Sequence, residues 1–177
     1  MTTTTGDHLN QVDLSAVGAL VEKIKQRPSA GQTTWSAEVR WTGAFRSEAT
    51  VRSFAPIASD EPRGMGGTDS APNPVEQLLG SLGNCLAVGY AANASVAGIT
   101  IRELRIDLEG DLDLHAFLGL ADGHPGFSAI RVDVHLDTDA GEAAVAELHR
   151  KVAATSPVGQ TLSTAIPVEI RPAPAGD

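Results

Sequence analysis

A chain of 177 residues, 42% apolar and 20% charged, fits a single globular domain over 1–177 with a core of its own. Its net charge of -9 excludes the basic footprint of a nucleic-acid binder, and aromatics at 4% leave the core to Leu, Val, Ile and Ala. One cysteine rules out an internal disulfide and a CxxC zinc pair, and a free thiol fits a reducing cytoplasm.

Residues 1–10 are polar and predicted to be disordered. They hold neither a basic n-region nor an apolar h-region, so no signal peptide is expected. No apolar run reaches the roughly 18 residues of a membrane span. Leu14, Val17, Leu20, Val21 and Ile24 recur at helical spacing between an Asp13 N-cap and Pro28, predicting a helix over 12–27. Trp35, Ala37, Val39 and Trp41 then alternate with polar residues. After a turn near Thr42-Gly43 a second alternating stretch, Ala49-Val51-Ser53, predicts a hairpin or meander.

Residues 56–74, PIASDEPRGMGGTDSAPNP, are dense in Gly, Pro, Asp and Ser and are predicted to form a long loop. They feed a helix with Asn73 as N-cap, Pro74 at its first position and Glu76 in its first turn, running to about Ala97 before Gly98. It is nearly all apolar and carries the one cysteine, Cys85. Two strands with period-2 alternation follow, in 99–114 and 127–138, joined by a Gly/Pro/His-rich connection at 119–126. A helix is predicted over 140–154 with Ala143, Ala144, Leu148 and Val152 on one face. Ser156 and Pro157 open a short helix, and IPVEIRP reads as a final strand. This order is α+β rather than a regular βαβ alternation. The histidines at 8, 115, 124, 135 and 149 lack ligand spacing such as HxxxH, so no metal is expected.

The motif GGTDSAPNPVEQLLGSLGNCLA (66–87), followed about 70 residues on by ATSPVGQTLSTAIPVEI (154–170), resembles the OsmC/Ohr family of thiol peroxidases. The likeness spans roughly residues 33–172. It implies an α+β fold in which antiparallel sheets cradle two central helices, in an intertwined homodimer with its sites at the subunit interface. It also implies a reactive cysteine on the first central helix, a resolving cysteine at the start of the other, and an arginine and a glutamate that support the thiolate. Cys85 matches the reactive cysteine, and Ser156 stands at the resolving position. The supporting glutamate's position, directly after Asn73-Pro74, holds Val75, with Glu76 one residue later. One residue turns a side chain by about 100° on a helix. For the arginine the resemblance leaves Arg40, Arg46 and Arg52, of which Arg46 is favoured.

Only a thiolate attacks a peroxide oxygen, and apolar burial raises a thiol's pKa. A cysteine flanked by Leu82, Leu86 and Val88 therefore needs a cation or hydrogen-bond donors to react, and an arginine stays charged and presents a fork of them. Without a second cysteine, a catalytic cycle must pass through a sulfenic acid that an external thiol reduces. The expected function is a one-cysteine reductase of organic hydroperoxides in oxidative-stress defence, with no cofactor beyond that thiol. A binding protein holding a small hydrophobic or thiol ligand at the dimer interface, and a redox sensor, stay open. So do structural roles, for Ser156 as an N-cap and for Glu76 as a partner of the helix dipole.

Overall fold

The longest helix, which we number α2 (Pro74–Val96) in chain order, is the element around which the others are arranged. The computed structural model describes residues 9–173; the disorder expected of 1–8 lies outside the described residues, as does His8. α2 begins where the sequence predicts. Asn73 Oδ1 accepts from Glu76 N at 2.9 Å while Glu76 Oε2 accepts from Asn73 N at 2.8 Å, a reciprocal capping box with Pro74 at the first helical position. Two glycines set how closely its neighbours approach. A Cβ at Gly83 would lie 2.9 Å from Leu108, and one at Gly89 would lie 3.1 Å from Val152.

Leu108 belongs to β4 (Ile101–Leu112), which pairs antiparallel with β5 (Phe127–Thr138) in a two-stranded sheet. Leu104, Ile106 and Leu108 alternate toward α2, with Val132, Val134 and Leu136 opposite them. The other face is polar and carries exposed ion pairs such as Arg102–Asp137, of the kind that add little stability. The connection between the strands holds a short helix, α3 (Leu114–Phe117), that the sequence did not announce.

Helix α4 (Glu142–Thr155) covers the opposite side of α2 with Leu148 and Val152, which are buried. Ala143 and Ala144, predicted on that face, are exposed. Ala144 borders an open groove beside Asn93 and Ala97, where a methyl group is too small to close the gap. The core is Tyr90, Ala94, Ile99, Leu148 and Val152. Within it Tyr90 Oη lies 2.6 Å from His149 Nδ1. Helix α5 (Pro157–Ser163) closes the ordered elements.

The N-terminal part is built differently. Helix α1 (Leu14–Gln26) has the predicted Asp13 cap but buries none of its residues. Strands β1 (Glu38–Gly43), β2 (Arg46–Thr50) and β3 (Ile57–Ser59) form a three-stranded antiparallel sheet. Trp35 and Ala37, read as strand, precede β1. Val51 and Ser53 fall beyond β2, where Arg52 takes φ 52° and the chain turns away. The stretch 56–74, predicted as loop throughout, contains β3 and a 3-10 turn at Arg63–Met65.

IPVEIRP, read as a strand, is extended but unpaired: it lies against no strand edge among the described residues. Among the described residues no helix lies broadly across the three-stranded sheet. Trp35 (80% exposed), Trp41 (75%) and Ile170 (94%) therefore face outward.

Two polar clusters pin the irregular segments. Asp60 is fully buried and accepts from Glu61 N and from the backbone amides and hydroxyls of Thr68 and Ser70. At the other end, residues 9–10 are not disordered as expected. Asn10, at φ 53°, donates to Ser95 Oγ at 3.0 Å and to Ile99 O at 2.9 Å, and accepts from Ile101 N at 2.8 Å. The architecture is α+β with antiparallel sheets, as the sequence predicts.

Candidate functional site

Cys85 lies midway along α2, one turn after the buried Leu82 and one turn before Gly89, and is half-buried. The element opposite it is the junction of α4 and α5. Ser156 sits at that junction, buried, and serves both helices. Its N–H donates to Val152 O at 3.0 Å to close α4, and its Oγ accepts from Gly159 N at 3.1 Å to cap α5. The N-cap expected at Ser156, with Pro157 behind it, is therefore present.

The same oxygen lies 3.2 Å from Cys85 Sγ. With Gly159 N–H on the oxygen, the hydroxyl and the thiol share this hydrogen bond, in which either can donate; toward a thiolate only the hydroxyl can. An N-cap for one helix is thus the hydrogen-bond partner of a thiol on another, 71 positions earlier in the chain.

The other expected site residues are placed elsewhere within the single chain. Glu76 is an exposed first-turn residue whose carboxylate serves the capping box, nine residues or about 13 Å of helix before Cys85. Val75 lies one residue earlier, against an apolar cavity. Arg46 is exposed on β2, in the sheet that does not cover α2. The three candidate arginines differ in what they touch. Arg40 is paired with Glu38, the Arg52 guanidinium stands 4.6 Å over the Phe54 ring, and Arg46 has no ion-pair partner among the described residues.

A groove of about 550 Å³ lies one helical turn from the Cys85–Ser156 pair, on the side of Leu82 and Gly159. Its walls are Leu78 and Leu82 of α2, Phe127, Ile130 and Val132 of β5, and Gly159 and Leu162 of α5. It is apolar, with His124, Ser128 and Ser163 as its polar side chains. These wall residues were not singled out from the sequence. The signal for part of them was present in the three- and four-residue spacing of Leu78, Leu82 and Cys85. Among the described residues no group of His, Cys, Asp or Glu is arranged to hold a metal ion, and no helix is long and apolar enough to cross a membrane.

The Asp60 cluster was also missed; its signal was an aspartate followed eight and ten residues later by hydroxyls in a Gly-rich loop. The Thr68 hydroxyl, most of all, holds the Asp60 carboxyl far below the usual carboxylate range. Burial opposes this, and the Ser70 and Glu61 donors reinforce it. The cluster holds the segment leading into α2 in one conformation, and Gln77 Nε2 ties the helix back to Ala58 O at 2.9 Å.

Comparison with known proteins follows from this geometry. The family model for OsmC-like proteins matches residues 67–171, which include Cys85, Ser156 and the residues that line the groove. No curated protein matches the sequence.

Among solved structures, the chain is similar to an OsmC-like protein from Mycoplasma pneumoniae at 20% identity and a TM-score of 0.66, covering 75% of this chain and 89% of that one. It is similar to an organic hydroperoxide resistance protein OsmC from Legionella pneumophila at 16% identity and a TM-score of 0.57, covering 74% and 91%. An organic hydroperoxide resistance protein from Elizabethkingia anophelis with bound thiocyanate matches at 16% identity and a TM-score of 0.54, covering 73% and 89%. At these identities the likeness is one of fold.

Proposed function

The chain belongs to the OsmC-like family, and from that premise we propose that it is a one-cysteine peroxidase reducing organic hydroperoxides through Cys85. The carrying observation is the 3.2 Å contact between Cys85 Sγ and Ser156 Oγ, one helical turn from the Leu82 and Gly159 wall of an apolar groove. Two of the structural neighbours are organic hydroperoxide resistance proteins, which supports the substrate class.

The Cys85 thiolate attacks the terminal peroxide oxygen. An S–O bond forms, the O–O bond breaks, and the alkoxide leaves and takes up a proton to become the alcohol. Sulfur is thereby oxidised to a sulfenic acid. The Ser156 hydroxyl supports the attacking thiolate by donating to it, and cannot close a disulfide afterwards. An external thiol then attacks the sulfenic sulfur, forming a mixed disulfide as the hydroxyl leaves as water, and a second thiol releases Cys85. Such a cycle suits the reducing cytoplasm and a role in oxidative-stress defence.

The proposal includes a homodimer. Among the described residues no cation is bonded to Cys85 and Arg46 has no ion-pair partner, and Arg46 stands on a sheet whose apolar residues are uncovered. A second copy laid against that sheet would cover it and bring Arg46 to the partner's thiol. Exposed apolar area on this scale is the usual mark of an interface.

Mass spectrometry after one equivalent of cumene hydroperoxide tests the reaction. Addition of one oxygen to Cys85, removed by dithiothreitol, is the expected result, and an unmodified thiol refutes it. Alkylation rates should fall in Arg46→Ala more than in Arg40→Ala or Arg52→Ala. Ser156 in place of a second cysteine favours one other reading, a protein that binds a hydrophobic or thiol ligand in the same groove without turnover.

A further inference from the structure

The groove beside Cys85 does not stand alone. Phe127, whose ring packs where a Cβ at Gly110 would be, forms a wall common to it and to a second cavity of about 420 Å³. The second cavity lies against the first turns of α2 beneath α3 and is lined by Met65, Val75, Leu79, Leu112 and Phe117. Val75, Leu78, Leu82 and Cys85 follow one another at spacings of three and four on one face of α2: Val75 lines the second cavity, Leu78 and Leu82 line the groove, and Cys85 stands one turn beyond Leu82. From Val75 to Cys85 this face is about 15 Å long. A compact alkyl hydroperoxide reacting at Cys85 leaves most of that length unfilled, whereas an extended hydrocarbon tail occupies it.

The charges along this tract are one-sided. Neither lining contains a lysine or an arginine, and the acidic residues, Glu61 and Glu76, both lie at the end remote from Cys85. Both are oriented by the buried Asn73. Glu61 Oε2 accepts from Asn73 Nδ2 at 3.3 Å and Glu76 Oε2 from Asn73 N at 2.8 Å, which leaves the second oxygen of each carboxylate without a protein donor among the described residues. A carboxylate at the end of a ligand's tail meets two like charges there, beside apolar walls that screen them poorly. An uncharged tail meets no such penalty, and an ammonium finds free acceptors. The chain's net charge of -9 works in the same direction at longer range.

We propose, resting on the peroxidase reading above, that the two cavities form one tail-binding tract that selects hydroperoxides with uncharged or cationic tails over those ending in a carboxylate. The peroxide group sits at Cys85, the chain lies along Leu82 and Leu78 past Phe127, and the tail's end is read by Glu61 and Glu76.

The test uses the full-length protein with a long-chain hydroperoxy acid and its methyl ester, dithiothreitol serving as reductant. At pH 7 the ester is expected to show a kcat/KM at least about tenfold above the acid. Leu114→Lys, which adds a cation at an exposed residue lining the second cavity, should bring the ratio toward unity by raising the value for the acid. Equal values in the unmodified protein, or a preference for the acid, overturn the selectivity.

A second measurement does not depend on turnover. Calorimetric titration with octanol, octylammonium and octanoate, each below its micelle concentration, should find octanoate the weakest by about tenfold. If no peroxide is reduced but this order holds, the peroxidase reading fails and the tract stands. Octanoate binding as tightly as octanol overturns it. Absence of any binding by a protein that light scattering finds dimeric also overturns it, because a second copy then fills the groove.

Discussion

Ser156 makes two contacts whose consequences can be separated. As the N-cap of α5 it contributes roughly 1 kcal/mol, which Ser156→Ala should remove in a urea denaturation measurement. As a donor to Cys85 it affects reactivity, and the same variant should alkylate more slowly at pH 7 than the unmodified protein. Ser156→Cys should retain much of the cap and form a disulfide with Cys85 after one equivalent of peroxide, seen by non-reducing peptide mapping. Two unlinked thiols would mean that the side chains cannot reach disulfide geometry. Each half carries a local signal, a cysteine in an apolar helix and a Ser-Pro at a helix start, but their meeting was expected only from the family resemblance. The role of Asp60 was not, because its partners come from across a loop that reads as irregular. Arg46 could be named but is not brought to Cys85 within one chain: it lies exposed on β2, without an ion-pair partner among the described residues.

Among the elements, α2 carries the tightest constraints, and these are testable at its two faces. Toward α4, Gly89→Val would push a branched side chain against Val152, at an expected cost of about 1–3 kcal/mol from overpacking. Burial holds the Tyr90 phenol above its usual pKa, and its hydroxyl shares a hydrogen bond with His149 Nδ1; Tyr90→Phe should cost roughly 1 kcal/mol in a urea titration. The Asp60 loop governs the helix entrance and gives a pH dependence of definite sign. Its carboxyl titrates below an unfolded aspartate, near pH 3.9, so its contribution is complete above that pH and is lost as the pH falls toward the folded value. The urea midpoint should therefore fall more steeply below about pH 4 in the unmodified protein than in Asp60→Asn. Helices α2 and α5 were readable because their caps are local. Strand ends were less so, because periodicity continues through Trp35 and Val51 where pairing does not. IPVEIRP has a strand's composition but pairs with no strand among the described residues.

For the whole molecule, the uneven distribution of buried surface is the main observation. Tyr90, Leu148 and Val152 make a dense centre, while α1, the three-stranded sheet and the C-terminal segment expose Leu20, Trp41 and Val168. Light scattering at micromolar concentration should give twice the 18.3 kDa of one chain, and Trp41→Asp should shift the population toward monomer. A monomeric unmodified protein would remove the route by which Arg46 reaches a thiol. The sequence allowed the fold class to be assigned because helix caps and strand alternation are written locally. It could not show how little of the N-terminal sheet is covered by its own chain, because coverage is a property of surfaces brought together by folding or association.

The Asn10 anchor has a spectroscopic consequence. The amide of Ile101, at the first residue of β4, is bonded to the Asn10 side chain, whereas alternate amides along the middle of the strand face β5. In amide hydrogen exchange, protection at Ile101 therefore reports whether the N-terminal segment is docked, and protection of the mid-strand amides that face β5 reports whether the sheet is intact. Asn10→Ala should speed exchange at Ile101 and leave those mid-strand amides unchanged. The two kinds of amide give separate clocks for detachment of the segment and for opening of the domain it is fastened to.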